Sequence, residues 1–401
     1  MIVCIIFWHN SRTVSENVNT PDNAIRIKQA NGKKSGTSRQ TSNGSLVNGA
    51  MMNSRNRGTE SNREHLYNFS NPVKHIAFLK VHKVASGTMQ NLFLRFGIEH
   101  DLVFVLPKSG ISLPMQPGKS ISSVAIPPPA HRTYDVLCSH VRYNRSDFQK
   151  TLPSDSVYIA TVRDPFRQFI SSIHYYHRKF MLKISKQKPI LKFLQEPNKY
   201  TRIIPENGRV SNFFNSMAWD FGFPLDLFVL PDKAQIQEYI SQLDKDFDLV
   251  IIVEYFDESL VLMRRLLNWD MRNILYISSH VQKRHEPAFA VGEEEENLYR
   301  KWCLLDYALF DFFKSKFLRH WESILTNSDV LEELRYFRDM KSKVDKYCRE
   351  HKAESSFYIK PCKWHAGFLV DKQYCNDRLF TEIQQVRKLQ RKQTLAIRRG
   401  T

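Results

Sequence analysis

Lys83 stands just before a run of small residues, Ala85, Ser86, Gly87 and Thr88, in the segment FLKVHKVASGTMQN (Phe78–Asn91). Small side chains let a backbone curl until several N–H groups converge on one anion. A helix beginning at Thr88 would add the positive end of its dipole at the same point. Lys83 brings a mobile charge, and Ser86 and Thr88 bring hydroxyl donors. A second segment, YIATVRDPFRQFISSIHYY (Tyr158–Tyr176), reads as an apolar strand ending in Arg163, with Ser171 eight residues further on. An arginine at a strand end can make bidentate, charge-assisted contacts to phosphate, and a serine two turns into the next helix can donate to the same group. Two such places suggest a ligand with two separate phosphates. Neither GxxxxGK[ST] nor GxGxxG is present, so this is not the usual nucleotide loop. The plainer alternatives are a tight strand–helix turn with an exposed lysine, and an arginine held in a salt bridge.

A proton acceptor is the other requirement for group transfer to a hydroxyl. His140, in CSHVRYN just after the β-type run Tyr134–Cys138, is the first candidate, because a neutral imidazole takes a proton without a metal. Its alternative is a histidine that only bonds within the core. His174 in SSIHYY is the main rival, although its place beside the Arg163–Ser171 segment suits nucleotide or structural duty. His82 is a third choice, turned away from the loop if strand neighbours alternate faces. Glu254 in VEYFDES, at another strand end, is a carboxylate candidate or simply a helix-start acid. NFFNSMAWDFGF (Asn212–Phe223) offers Asn212 and Trp219 to bond and stack on a sugar ring, or else a packed aromatic helix. Arg142 can meet an acidic group or pair with a surface carboxylate. The chain has no CxxC pair, and no metal site is expected.

The elements that must position these residues follow from hydrophobic period. β-type runs fall at 75–79, 134–138, 157–162 and 249–253, with helical patterns at 88–96, 168–180, 257–267 and 293–317 between or after them. Strands alternating with helices indicate an α/β fold, a parallel sheet covered on both faces. The Pro/Ser/Gly-rich stretch 106–129 is expected to be an exposed excursion, and GEEEEN (Gly292–Asn297) a solvated acidic helix start.

The net charge of +18 over 401 residues first suggests nucleic acid. Its distribution argues otherwise. Residues 1–70 carry nine Lys/Arg against four Asp/Glu, and residues 341–401 fifteen against six, so the basic excess sits mainly at the ends. No nucleic-acid partner is expected. Residues 1–9 (MIVCIIFWH) open on an apolar run too short to span a membrane and without a basic flank, and are read as a truncated signal-anchor remnant. Residues 10–70 have the polar composition of a disordered stem, 71–345 form the catalytic domain, and 346–401 a basic extension packing on or continuing it. Sequons at Asn43, Asn68 and Asn144 suit a luminal protein. Cys348, Cys362 and Cys375 are close enough in sequence for a disulfide staple, although composition does not fix the partners and free thiols are the alternative.

HKVASGT and RDPFRQFISS resemble the 5′-phosphosulfate loop and 3′-phosphate motif of Golgi sulfotransferases that use 3′-phosphoadenosine 5′-phosphosulfate (PAPS). FLKVHKVASGTMQNLFLRFG, VLCSHVRYN, DPFRQFISSIHYY and FDLVIIVEYFDESLVLMRRLLNWDMRNILY are similar to the galactose-3-O-sulfotransferase family, the galactosylceramide type included. The likeness runs from about Lys74 to Tyr336, with a weaker echo at 374–389. It implies a P-loop-kinase-like sheet, PAPS as donor and no metal. Lys83 would lie at the bridging region of the phosphosulfate, the backbone from Val84 to Thr88 around the 5′-phosphate, and Arg163 with Ser171 at the 3′-phosphate. The acceptor would be a galactose-terminated glycolipid or glycan, sulfated at its 3-hydroxyl in the Golgi lumen by a type II membrane protein. Another glycan or glycosaminoglycan acceptor, or an inactive glycan-binding homologue, are the alternatives. Val81 and Val84 depart from the family by standing where threonine is frequent.

Overall fold

The computed structural model describes residues 71–113, 119–201, 212–277, 289–326, 328–350, 355–379 and 381–399. The expected anchor remnant and stem lie outside the described residues. β1 (Ile76–Leu79) runs into α1 (Ser86–Glu99). β2 (Val136–Leu137) and β3 (Val157–Val162) follow, then α2 (Pro165–Ser172), a π-helical turn at Ile173–His177, and a helix at Arg178–Ile184. After α3 (Ser216–Asp220), β4 (Leu249–Ile252) leads through a short turn into α4 (Phe256–Leu267). Then come α5 (Glu293–Trp302), α6 (Leu304–Ile324) and α7 (Ser328–Glu350). An antiparallel hairpin of β5 (Phe357–Ile359) and β6 (Phe368–Val370) precedes α8 (Lys372–Leu379) and α9 (Glu382–Arg399).

β1 to β4 form one all-parallel sheet in the order β2-β1-β3-β4. Their sequences, IAFL, VYIATV and LVII, are almost wholly apolar because both faces are covered. Successive side chains divide between two cores as the period of two requires. Ala77, Leu79, Leu137, Ala160, Val162, Val250 and Ile252 join one core, in which Phe169 of α2 and Leu309 and Phe313 of α6 pack. Ile76, Phe78, Val136, Ile159 and Ile251 join the other, in which Leu92 and Phe93 of α1, Leu260 and Met263 of α4, Phe337 of α7 and Val386 of α9 pack. The result is three layers, helix on sheet on helix.

All four expected strands are present, the second shortened to two residues. The expected helix 293–317 is instead two helices broken at Cys303. The break has a tertiary cause. Tyr299 Oη and Cys303 Sγ both donate to the Phe213 carbonyl, at 3.1 and 3.7 Å, and Asn215 Oδ1 accepts from the Asp306 amide at 3.1 Å. Asn215 thus takes the Asp306 amide bond that a continuous helix would have made internally. The stretch 106–129 is less exposed than composition suggests: Leu106, Leu113, Ile121, Ala125 and Ile126 are buried.

α7 runs through residue 345, where the sequence suggested a domain boundary, and the chain beyond it is tied back at several points. Arg264 of α4 and Glu333 of α7 form a buried ion pair, to which Arg265 adds a 2.6 Å contact. Cys348 at the end of α7 is disulfide-bonded to Cys375 in α8, closing a separation of 27 residues. Cys362 between them is free. Closing a loop of this size restricts the unfolded chain, and its loss costs about 2–4 kcal/mol. Paired Cys348→Ser and Cys375→Ser changes are therefore expected to lower the urea unfolding midpoint, and reductant should bring the wild-type chain to the same value.

Candidate active site

The parallel sheet brings the ends of its strands to one edge. Beyond β1 the chain forms the loop Lys80–Ala85, in which Lys83 (φ 61°) and Ala85 (φ 59°) both adopt left-handed backbone. For non-glycine residues this is a strained conformation, and alternating it with ordinary backbone turns N–H groups toward one concavity. The strain falls on these two residues and not on Gly87, which lies in the first turn of α1 with Ser86 and Thr88. Thr88 is buried, and its Oγ1 finds no partner among the described residues. α1 has no side-chain cap either. Lys83 Nζ lies 3.8 Å from the Tyr175 ring centroid, on the π-helical turn that follows α2, and 5.8 Å from that of Tyr176.

Arg163 follows β3 directly and reaches across to the loop after β1, donating from Nη1 to the Lys83 carbonyl at 3.4 Å. The two segments singled out from sequence therefore meet. Arg163 is 9% exposed, and its Nε has no partner among the described residues. Burial works against its charge, and the neighbouring Glu254 works for it. The helix after it starts as the sequence suggests, with Asp164 capping the Arg167 amide and Pro165 in the first turn. Ser171 is buried in the same helix. Glu254 accepts from the Asp164 amide at 3.1 Å through Oε1, and burial raises its carboxyl above the ordinary range. It thus secures the β3–α2 turn beside Arg163, while its Oε2 is buried without a partner among the described residues.

His140 donates from Nδ1 to the Lys80 carbonyl at 2.7 Å. A carbonyl only accepts, so the proton sits on Nδ1 and the neutral ring keeps its lone pair at Nε2. His82 lies stacked on it, ring centroids 4.0 Å apart and 15° from parallel. The expectation that strand alternation would turn His82 away does not hold, because β1 ends at Leu79 and His82 is already in the loop. Asp220, at the end of α3 and 1% exposed, accepts from both the His82 amide and Nδ1 at 2.7 Å. Gln168 of α2 adds a 3.1 Å bond to the His82 carbonyl and a 2.6 Å bond to Ser216 Oγ. Asp220 and Gln168 were missed from sequence. Only the acid in NFFNSMAWDFGF hinted at the first.

The remaining candidates are engaged by other contacts. His174 accepts from Arg178 Nη1 at Nδ1, 3.1 Å, and stacks on Phe289, so that nitrogen is not available as a base. Trp219 is 3% exposed, with the Arg142 guanidinium 4.7 Å from its ring centre, which leaves that face closed to a sugar. Asn212 is half-buried beside Phe213, at the junction that breaks the helix at Cys303.

A family model for galactose-3-O-sulfotransferase matches residues 45–357. The chain belongs to the galactose-3-O-sulfotransferase family. It is 32% identical to galactosylceramide sulfotransferase of Mus musculus over 259 residues, 63% of this chain and 59% of that protein. Galactose-3-O-sulfotransferase 2 of Mus musculus is 30% identical over 285 residues, 69% of this chain and 70% of that protein. Galactose-3-O-sulfotransferase 3 of Homo sapiens is 32% identical over 246 residues, 61% of this chain and 56% of that protein. This member of the family thus spans about three-fifths of the first relative's length.

Two measurements follow from the geometry of this family member. Replacing Thr88 by valine removes a buried, unpartnered hydroxyl, so stability should hold or rise by about 1 kcal/mol, measured as a thermal melt. Asp306 bonds the Ala218 and Met217 amides at 2.7 and 3.4 Å, holding α3 and hence Asp220, and burial lifts its carboxyl to about 7. A carboxyl raised on folding binds its proton more tightly in the folded chain, so its stabilisation is fully present below the unfolded value near 4 and is lost as pH rises toward 7. Asp306→Asn should flatten that fall, measured as urea unfolding at about pH 5 and about pH 8.

Proposed function

We propose that this chain is a PAPS-dependent sulfotransferase that acts on the 3-hydroxyl of a galactose in a glycolipid or glycan. The observation that carries the reading is the contact of Arg163 with the Lys83 carbonyl. It joins two cationic, partly unsatisfied donor sets beside a stacked histidine pair. Thr88 Oγ1 and Arg163 Nε are buried donors without partners among the described residues, and phosphate oxygens are the acceptors that suit both. PAPS would supply an activated sulfuryl group and a phosphate leaving group. Family membership and the relatives' names support the reaction class and the galactose acceptor, galactosylceramide included.

In this reading the loop amides from Val84 to Thr88 hold the 5′-phosphate, while Arg163 and Ser171 hold the 3′-phosphate. Lys83, moving off the Tyr175 ring, neutralises charge that develops at the leaving oxygen. His140 Nε2 takes the acceptor's proton, since its Nδ1 is committed to the Lys80 carbonyl. A second reading gives that step to His82, because the buried Asp220 carboxylate can stabilise a cation formed on that ring. The P-loop-kinase-like form of the sheet and a luminal Golgi location belong to the same proposal. The Cys348–Cys375 bond supports a luminal setting, since disulfides persist in oxidising compartments.

Purified chain with labelled PAPS and a panel containing lactose and galactosylceramide tests this. Label should appear on a β-galactoside and fall by about 10²–10⁴-fold in His140→Ala, with bisphosphate affinity retained. Lys83→Ala should lose both transfer and nucleotide affinity. Near wild-type transfer in His140→Ala with loss in His82→Ala would move the base to His82. Nucleotide binding without transfer to any galactoside or sulfated-polymer precursor would make the chain a binding protein.

A further inference from the structure

α9 presents two opposite faces. Its inner face is fixed: Val386, Leu389 and Gln393 are buried, and Gln393 Nε2 donates to the Ile126 and Pro127 carbonyls at 3.1 and 2.9 Å. Gln390 Nε2 donates to the Pro107 and Gly110 carbonyls at 2.8 and 2.9 Å. On the outer face Arg387, Lys388, Arg391, Lys392, Arg398 and Arg399 are all exposed. At about 100° per residue these six cations occupy an arc of roughly 140°. The acid on this helix, Glu382, is buried on the other side. Asp101 is the acid that meets the patch, shared between Lys392 at 2.8 Å and Arg132 at 3.0 Å. Lys392 and Asp101 are each 69% exposed, so their pairing is strongly screened. In the middle of the cationic arc stands Leu395, 49% exposed.

We propose that this face docks the chain on a bilayer surface bearing anionic headgroups. Six cations held on one rigid face are attracted to a negatively charged surface without first having to be ordered. Leu395 decides between a membrane and a soluble polyanion. An apolar side chain among the cations gains from entering the boundary between headgroups and acyl chains, and gains nothing from a hydrated sulfated or phosphorylated polymer. The docking needs no catalytic assignment, so it stands or falls separately from the sulfotransferase reading.

Cosedimentation of the full chain with phosphatidylcholine vesicles, with and without phosphatidylserine, tests it. Binding should require the anionic lipid and be released by salt. Arg387→Glu with Arg391→Glu should weaken partitioning roughly ten-fold or more, and Leu395→Ser several-fold, with unchanged thermal melts. Equal binding to neutral vesicles would overturn the proposal. So would unaltered partitioning in both variants. If Leu395→Ser has no effect and soluble heparin displaces the chain from the vesicles, the face is a polyanion site and the membrane assignment is wrong. Absence of any sulfate transfer would leave the vesicle result untouched.

Discussion

Strand register is the constraint on which the site depends. β1 pairs with β2 at a constant offset of 60 residues, Ile76 to Val136 and Ala77 to Leu137, and the bond from His140 to the Lys80 carbonyl prolongs that offset past the end of both strands. β3 pairs with β4 at an offset of 90, as in Val162 to Ile252, and the bond from the Asp164 amide to Glu254 continues it. Between β1 and β3 the offset is 81, and the Arg163–Lys83 contact departs from it by one residue, where the loop has begun to curl. Parallel pairing delivers these side chains to one edge at one height, so the site is the continuation of the ladder after the hydrogen bonds between strands have stopped. A slip of one residue would exchange the two cores and turn these side chains to the wrong faces.

The loop at that edge is costly to the fold. Left-handed backbone at Lys83 and Ala85 costs roughly 1 kcal/mol or more at each residue, and the unpartnered Thr88 hydroxyl adds a desolvation cost. Such a conformation persists only where its surroundings over-determine it. The Ala85 carbonyl accepts from the Thr88 and Met89 amides at 3.0 and 3.2 Å, the His82 carbonyl from Gln168, and the His82 amide is held by Asp220. Val81 and Val84 are fully buried beneath the loop. Both face the core here, so valine suits packing and leaves the N–H concavity intact.

Much of this was legible in the sequence because it is local. Each strand announces itself by a short apolar run, Asp164-Pro165 by its capping chemistry, and the curled loop after β1 by small residues next to a lysine. What sequence could not show are pairings between distant segments. Asp220 meets His82 across 138 residues, and nothing in the period of either segment encodes it. The helix break at Cys303 depends on Phe213 and Asn215, so a helical pattern read along 293–317 passes straight over it. Aromatics and amides serve both recognition and packing, so NFFNSMAWDFGF reads either way in sequence, and the burial of Trp219 is a tertiary property.

The longest of these pairings links the end of the chain to the site. Lys80 is 4% exposed, and burial lowers its affinity for a proton. Its Nζ donates to Gln90 and lies 4.0 Å from Glu382, the first residue of α9. A buried ammonium is tolerated only with such partners, since the cost of leaving it alone exceeds what nearby packing can offset. The same residue's carbonyl orients His140. A tail residue thus fixes the lysine whose backbone fixes the imidazole. α9 cannot be treated as an appendage to a finished domain: its first turn supports the loop from below, and its later turns, clamped through Gln390 and Gln393, project a basic face outward.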